Sequence, residues 1–224
     1  MISTDFHRLP TILPLGDQAL LVRFATALSD EANRAAIAFA DRLAHAAPEG
    51  VVEVDPNLVS VLVRYDPLRT TPDALAGELR LLVGGAAPPE AEASPPRSIP
   101  VVFGGEAGPD LAEAAAALGL APEAFVEAHN AAPLRVLTTG FAPGFVYCGF
   151  HPEALHLPRR VQVRRLVPPG SVLFAAGQTA ITATAIPTGW HVIGRTSFRN
   201  FTPDRDPPTQ LLEGERLQFL PEKS

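Results

Sequence analysis

The chain has 224 residues, 24 acidic and 18 basic side chains for a formal net charge of −6, one cysteine, and a hydrophobic share of 46%. That share excludes a disordered chain, the acidic balance argues against a nucleic-acid groove built on bulk charge, and a lone Cys148 excludes an internal disulfide or a cysteine-rich zinc site. No run of about 18 apolar residues occurs, so no membrane span is expected; the opening M-I-S-T-D-F-H-R-L-P lacks an apolar signal region, so a cytoplasmic location is expected.

Ala19 to Phe24 reads as a short apolar strand. Ser29 caps a helix running to about Ala46, with Asp30 and Glu31 in its first turn, where the helix dipole favours carboxylates. Its apolar face is expected to hold Ile37, Ala40 and Ala44, with Phe39 and Leu43 beside them. Val51 to Val54 and Leu58 to Tyr65 are predicted strands joined by the turn triplet Asp55-Pro56-Asn57. In the second, Val59, Val61, Val63 and Tyr65 share one face and Leu58, Ser60, Leu62 and Arg64 the other. Thr71-Pro72-Asp73 starts a helix with Pro at its first position, carrying Leu75, Leu79 and Leu82 and closed by Gly84-Gly85. The order strand, helix, strand, strand, helix predicts a ferredoxin-like α+β layer over residues 1–95.

Residues 86–98, with four prolines and no large apolar side chain, read as a linker. Beyond it, over 96–224, Ile99 to Phe103 is a strand, and helices are expected over Asp110–Leu118 and Pro122–Asn130. Short strands punctuated by Gly and Pro follow, at Arg135–Thr138, Ser171–Ala176, Ala180–Ala185, His191–Ile193 and Arg216–Leu220. This pattern predicts a β-barrel or sandwich carrying two small helices.

Familiar catalytic signatures are missing: no G-x-x-x-x-G-K-[ST] phosphate loop, no G-x-S-x-G elbow and no H-E-x-x-H. His151 and His156 are spaced for different faces and flanked by Pro152 and Pro158, so no metal site is expected. What stands out is a set of polar, Gly-rich loops. Gly140-Phe141-Ala142-Pro143-Gly144-Phe145-Val146-Tyr147 pairs a rigid turn with aromatic walls. Ala176-Gly177-Gln178-Thr179 sets an amide and a hydroxyl beside a glycine that permits close backbone approach. Ile193-Gly194-Arg195-Thr196 carries a guanidinium suited to a carboxylate or phosphate. The same Gly and Pro residues also suit barrel corners. For His129 near a helix end, a surface or dipole-paired role stands beside a catalytic one. For Arg159, Arg160, Arg164 and Arg165, a solvated face stands beside a binding one.

Taken in order, these loops resemble one family. G-G-E-x-G-P-D-L (104–111), His129, G-F-A-P-G-F-x-Y (140–147), P-R (158–159), V-P-x-G-S-V (167–172), G-Q-T (177–179), P-x-G-W (187–190), I-G-R-T (193–196) and R-D-P-P-T (205–209) resemble the B component of 5-oxoprolinase, also called allophanate hydrolase subunit 1 or KipI-like. The resemblance covers essentially the whole chain. It implies an N-terminal α+β domain and a C-terminal cyclophilin-like β-barrel. It implies work with a homologous C component (allophanate hydrolase subunit 2-like) and an A component, which together convert 5-oxoproline to glutamate with ATP. ATP belongs to the complex, and no cofactor is expected on this chain. Departures from the family pattern at Cys148–His151, Val163, Ala180–Ala183 and Thr188 open the alternative of another amide or lactam substrate.

Under that resemblance the catalytic candidates are His129 as acid/base, with Gln178 and Thr179 as donors to developing oxyanion charge. The substrate-binding candidates are Arg195 for a carboxylate, Thr196, Tyr147, Arg159, Arg164 and Gly177. Phe141, Phe145, Tyr147 and Trp190 are expected to gather beside Arg195 at one barrel mouth, as part of a surface for the C component. Two other readings follow from relatives of the same family: an inhibitor of a sporulation-type histidine kinase, and a carboxyltransferase-like protein that works on urea or another amide.

Overall fold

The computed structural model describes residues 9–83 and 95–222, and the chain divides into two compact units, residues 1–92 and 93–224. The stretch 86–94 of the expected linker, and Gly84-Gly85, lie outside the described residues. The last two residues assigned to that linker, Arg97 and Ser98, are already strand.

The first unit contains β1 (Thr11–Pro14), β2 (Ala19–Arg23), α1 (Asp30–Ala46), β3 (Val51–Pro56), β4 (Ser60–Tyr65) and α2 (Pro72–Val83). Its sheet has the order β1-β2-β4-β3, with antiparallel neighbours throughout. The sequence pattern does not reveal β1, a four-residue strand ending on Pro14, which is tolerated because β1 has no ladder on its outer side among the described residues. An N-terminal strand therefore lies beside β2, which the expected ferredoxin-like order does not include. Ser29 caps α1, its hydroxyl accepting from Ala32 N–H at 3.2 Å, and Thr71 does the same for Ala74 N–H of α2 at 3.2 Å. The buried stripe of α1 is Ala32, Asn33, Ala36, Phe39, Ala40 and Leu43, while Ala44 is exposed. It is rotated from the expected face because Phe39 and Leu43, one turn apart, bring the largest apolar area to the sheet. Val61, Val63 and Tyr65 of β4 meet them with Leu75 and Leu79 of α2.

The second unit begins with β5 (Arg97–Phe103), α3 (Leu111–Ala117), α4 (Pro122–His129), β6 (Leu134–Thr139) and β7 (Val146–Gly149), then a 3₁₀ turn over Glu153–Leu155. There follow β8 (Arg164–Val167), β9 (Ser171–Ala175), β10 (Gln178–Ile181), β11 (Ile186–Thr188), β12 (His191–Arg195) and β13 (Arg216–Pro221). Seven of these close a barrel in the order β10-β7-β6-β13-β5-β12-β9, and β8 and β11 form a separate two-stranded ribbon. Only β13 and β5 run parallel among the barrel neighbours. Closure leaves no free sheet edge in the barrel wall. The expected strand over Ala180–Ala185 is shifted to Gln178–Ile181. Strands β7, β8 and β11 add to the expected set; each is three or four residues long and embedded in Gly/Pro-rich sequence.

Alternate residues along a strand face opposite sides, and here both sides are apolar. Ile99, Val101, Phe125, Val172, Phe174 and Phe219 fill the interior. On the outer face Phe145, Leu173, Ala180, Trp190 and Val192 form a second core with Val167 and Ile186 of the ribbon. All five residues of β9 are accordingly buried.

The loop 104–110 is held against β12 by backbone contact. Gly104 N–H donates to Ile193 O at 3.1 Å and Asp110 N–H to Val192 O at 3.0 Å. A Cβ on Gly108 would stand 2.1 Å from Ile193 O. A neighbour that is backbone in a closed barrel has little freedom to yield. Gly108→Ala is therefore expected to destabilise the second unit by about 2 kcal/mol or more, in the range of overpacked sites, read as a lowered urea midpoint with an unchanged slope.

Candidate functional site

Gln178 and Thr179 are adjacent on β10 and so point to opposite faces of the barrel wall. Thr179 pairs with Cys148 and Phe174 and faces inward, whereas Gln178 shares the outward face with Ala180 and, through the Ala180–Tyr147 pair, with Tyr147. The expected site residues thus fall into an interior set and an outer set.

The interior set is a hydrogen-bonded chain. His129, the last residue of α4, places Nδ1 2.7 Å from Asn130 Oδ1 and Nε2 2.7 Å from Thr179 Oγ1. His151, for which spacing suggests no role, places Nε2 2.8 Å from the same hydroxyl. The two rings lie 4.7 Å apart between centroids, among Phe103, Phe125, Phe174 and Phe219. Burial lowers the pKa of His129 to about 4, against a smaller upward pull from its Asn130 hydrogen bond. Burial, then the proximity of His129, lowers that of His151 to about 3. Both imidazoles are therefore neutral at pH 7, with one N–H each. An amide oxygen accepts only, so His129 donates from Nδ1 to Asn130 Oδ1; its Nε2 then accepts from the Thr179 hydroxyl, which in turn accepts from His151 Nε2–H. Thr179 is fully buried and His129 is 1% exposed, so neither is placed to touch a solute at the surface. Cys148, on the same face, has its thiol pKa pushed up by burial and is not a reactive thiolate.

The outer set is a run of aromatic rings ending in a cation. Phe141, Phe145, Tyr147 and Trp190 follow one another with centroid separations of 5.4, 4.7 and 5.9 Å, and the Arg159 guanidinium lies 5.8 Å from the Trp190 ring. The turn 140–145 that presents Phe141 is closed by Gly140 N–H to Phe145 O at 3.0 Å. It depends on Gly144, at φ 68°, where a Cβ would stand 2.4 Å from that of Phe201. Burial raises the Tyr147 phenol pKa, opposed by the Arg159 charge. Gln178 is 5% exposed and its Nε2 has no hydrogen-bond partner among the described residues. A buried amide N–H in that condition is uncommon.

Asp110 holds the wall of this face. It is 2% exposed and accepts from Arg160 Nη1 at 2.5 Å, Arg164 Nε at 3.0 Å, Arg164 Nη2 and Val192 N–H at 2.9 Å. Burial works to raise the Asp110 pKa, but the Arg164 and Val192 hydrogen bonds and the charges of Arg164 and Arg160 outweigh it and hold it below the ordinary carboxylate value. Arg164, a substrate-binding candidate, is thus engaged as a structural partner. Asp110 stands in the G-G-E-x-G-P-D-L motif and Arg160 in the basic cluster, but spacing alone gives no sign that they meet across 50 residues.

The remaining candidates lie apart. Arg195 is exposed at the far end of β12 from Trp190, roughly 16 Å away at the rise of an extended strand, so it does not join the aromatic run. Thr196 is buried in the turn after β12, donating from N–H to Gly170 O at 2.8 Å and accepting Phe198 N–H at 3.1 Å. Gly177 lies in the β9–β10 turn at φ 69°, its carbonyl accepting His151 N–H at 3.0 Å. Among the described residues no group of three or more His, Cys, Asp and Glu is placed to hold a metal ion, and no helix is long and apolar enough to cross a membrane.

Residues 10–211 match the family described as carboxyltransferase domain, subdomain C and D. The chain is 31% identical over 216 residues to the 5-oxoprolinase B component of Bacillus subtilis strain 168, an alignment covering 92% of this chain and 90% of that protein. It is 47% identical over 138 residues to the 5-oxoprolinase B component of Escherichia coli O157:H7, covering 60% of this chain and 63% of that protein. The crystal structure of TTHA0988 superposes with a TM-score of 0.80 at 35% identity, over 92% of this chain and 41% of that one. The matched part is therefore under two thirds of the Escherichia coli relative and about two fifths of the solved chain.

The neutral imidazoles set a pH dependence. Below the ordinary histidine pKa of 6.5 the unfolded chain takes up protons that folded His129 and His151 refuse until about pH 4 and 3. Stability must fall as pH drops through that window, by up to about 1.4 kcal/mol per pH unit for each ring. The Asp110 ion pairs add a further loss once pH falls below the ordinary carboxylate value of 3.8. Ring-proton NMR is expected to show no titration of either histidine between pH 8 and 5; a midpoint near 6.5 for either ring would contradict the buried chain.

Proposed function

Because this chain belongs to the carboxyltransferase-domain family, and within it to the B components of 5-oxoprolinase, we propose that it is a subunit of an ATP-dependent 5-oxoprolinase, opening the lactam of 5-oxoproline to glutamate with a homologous C component and an A component. The observation that carries this reading is the similarity to the Bacillus subtilis protein, which runs through both compact units rather than through one shared motif.

A lactam amide is too stable to open readily in water. Phosphorylation of its oxygen turns it into a better electrophile, and that step falls to the complex, since this sequence has no G-x-x-x-x-G-K-[ST] loop. The outer aromatic run supplies what a small cyclic amide with a carboxylate needs. Tyr147 and Trp190 flank the ring, Arg159 meets the carboxylate in place of the distant Arg195, and the unpartnered Gln178 amide donates to the oxygen that water adds to the activated ring carbon, as negative charge develops there while phosphate leaves and the C–N bond breaks. His129 and Thr179 act from behind the sheet: their hydrogen bonds fix β10 and so the position of Gln178.

Reconstitution of the three components with ATP and 5-oxoproline tests this, with glutamate release as the readout. Gln178→Ala is expected to lower kcat about 100-fold, the loss typical of one oxyanion donor. Arg159→Ala is expected to raise KM about tenfold with little change in kcat, as removal of uniform binding does. No ATP-dependent glutamate release from the wild-type assembly would overturn the reading.

A further inference from the structure

Gln178 is the first residue of β10, directly after the two-residue turn Ala176-Gly177 that joins it to β9. Both turn residues are left-handed, at φ 51° and 69°. That is the pattern of a type I′ hairpin turn, in which Asn or Gly is the usual first residue and an alanine is strained. The cross-strand neighbours of Gln178 are small. Its partner on β9 is Ala175, and the pairing of Thr179 with Cys148 sets Gly149 of β7 across from it on the other side. A Cβ on that glycine would still lie 3.9 Å from Gln178 Cγ, and Gln178 Nε2 has no hydrogen-bond partner among the described residues. The direction of the amide therefore follows chiefly from the backbone of residues 176–179.

The stretch after β7 grips that backbone. His151 N–H donates to Gly177 O at 3.0 Å, and Ala176 N–H donates to Leu157 O at 2.6 Å. The His151 ring places Nε2 2.8 Å from Thr179 Oγ1. One residue thus holds both chain neighbours of Gln178, the first through its main chain and the second through its imidazole. The stretch is itself anchored: Leu155 and Leu157 are buried in the barrel core, and the His151 ring meets Phe174 edge to face at 5.3 Å between centroids. Strained backbone such as that of Ala176 persists where its surroundings over-determine it, and it gathers at functional sites. We propose that His151 is a positioning residue for the reaction: by holding Gly177 and Thr179 it aims the Gln178 amide at the oxygen where charge develops. The proposal rests on the proposed function, in which Gln178 is the donor. His129 also reaches Thr179, whereas His151 bonds on both sides of Gln178. Burial keeps the His151 imidazole neutral at pH 7, so its replacement by leucine removes a hydrogen bond and no charge.

The test uses the three-component assembly with ATP and 5-oxoproline, with thermal melting of the chain as the check on folding. His151→Leu is expected to lower kcat about tenfold with KM unchanged, since a misaimed donor loses part of what a missing one loses. His151→Gln, whose amide N–H replaces the ring N–H toward Thr179, is expected to recover most of the rate. In a Gln178→Ala background His151→Leu is expected to change kcat by less than about twofold, because no donor is left to aim. A merely structural role gives the same fold-loss in both backgrounds. That result overturns the proposal, as does wild-type kcat in His151→Leu, or a His151→Gln variant no faster than the leucine one. The side-chain amide 1H–15N signals of Gln178 read the same geometry without turnover. They are expected to move in His151→Leu and to return toward their wild-type positions in His151→Gln; signals unmoved by the leucine also overturn the proposal. His151→Asn, polar but too short for Thr179, carries the leucine expectations where the leucine variant does not melt cooperatively. A wild-type assembly that releases no glutamate overturns the oxoprolinase reading, and the Gln178 signals then decide the positioning by themselves.

Discussion

A carboxylate taken out of water has to be met by opposite charge and by hydrogen-bond donors, or it destabilises the fold by several kcal/mol. Asp110 is met by two guanidinium groups and a backbone N–H drawn from segments remote in sequence: Arg160 and Arg164 around the start of β8, and Val192 in β12. Its own N–H returns to Val192 O. One side chain therefore ties the Gly-rich loop after β5 to the barrel wall and to the β8–β11 ribbon. The ribbon covers the outer core with Val167 and Ile186, and that cover is what holds Trp190 and Tyr147 at an edge with Arg159 beside them. Arg159 and Val161, on either side of Arg160, and Val163, next to Arg164, are anchored by this clamp.

The barrel interior solves a related problem by the opposite means. Here polar groups are buried without charge. His129, Thr179, His151 and Asn130 are joined by three hydrogen bonds, and the surrounding phenylalanines keep the rings neutral by making the charged form costly. Such a network stiffens the elements it joins. It links the end of α4, the stretch after β7 and β10, so the pleat that turns Thr179 into this network also sets Gln178 outward. Interior order and the geometry of the outer face are two sides of one strand.

Much of the fold is legible in the sequence. Ser29 and Thr71 announce their helices because a capping hydroxyl acts within three residues of itself. Val61, Val63 and Tyr65 announce the buried face of β4 because strand alternation has a fixed period. The strands that the pattern hides, β1, β7, β8 and β11, are three or four residues long, too short for a period to show, and their pairing comes from partners elsewhere in the chain. The stripe of α1 differs from its expected position by part of a turn for a similar reason: Ile37 and Phe39 are both apolar, and the sheet beneath decides which is covered.

The site divides along the same line. Its residue types are visible in the sequence: the Gly-Gln-Thr triplet, the paired Gly-Phe turns, Trp190, His129 and the arginines at 159, 160, 164 and 165. Local chemistry determines those, since a hydroxyl, an amide or a tight turn is a property of a few neighbouring residues. Tertiary structure alone decides that Gln178 and Thr179 serve different faces, that His151 joins His129, that Arg164 is engaged by Asp110, and that Arg159 rather than Arg195 stands with the aromatic rings. Each of those outcomes depends on barrel closure, which brings together residues tens of positions apart, and no short-range pattern encodes a closure made by seven strands at once.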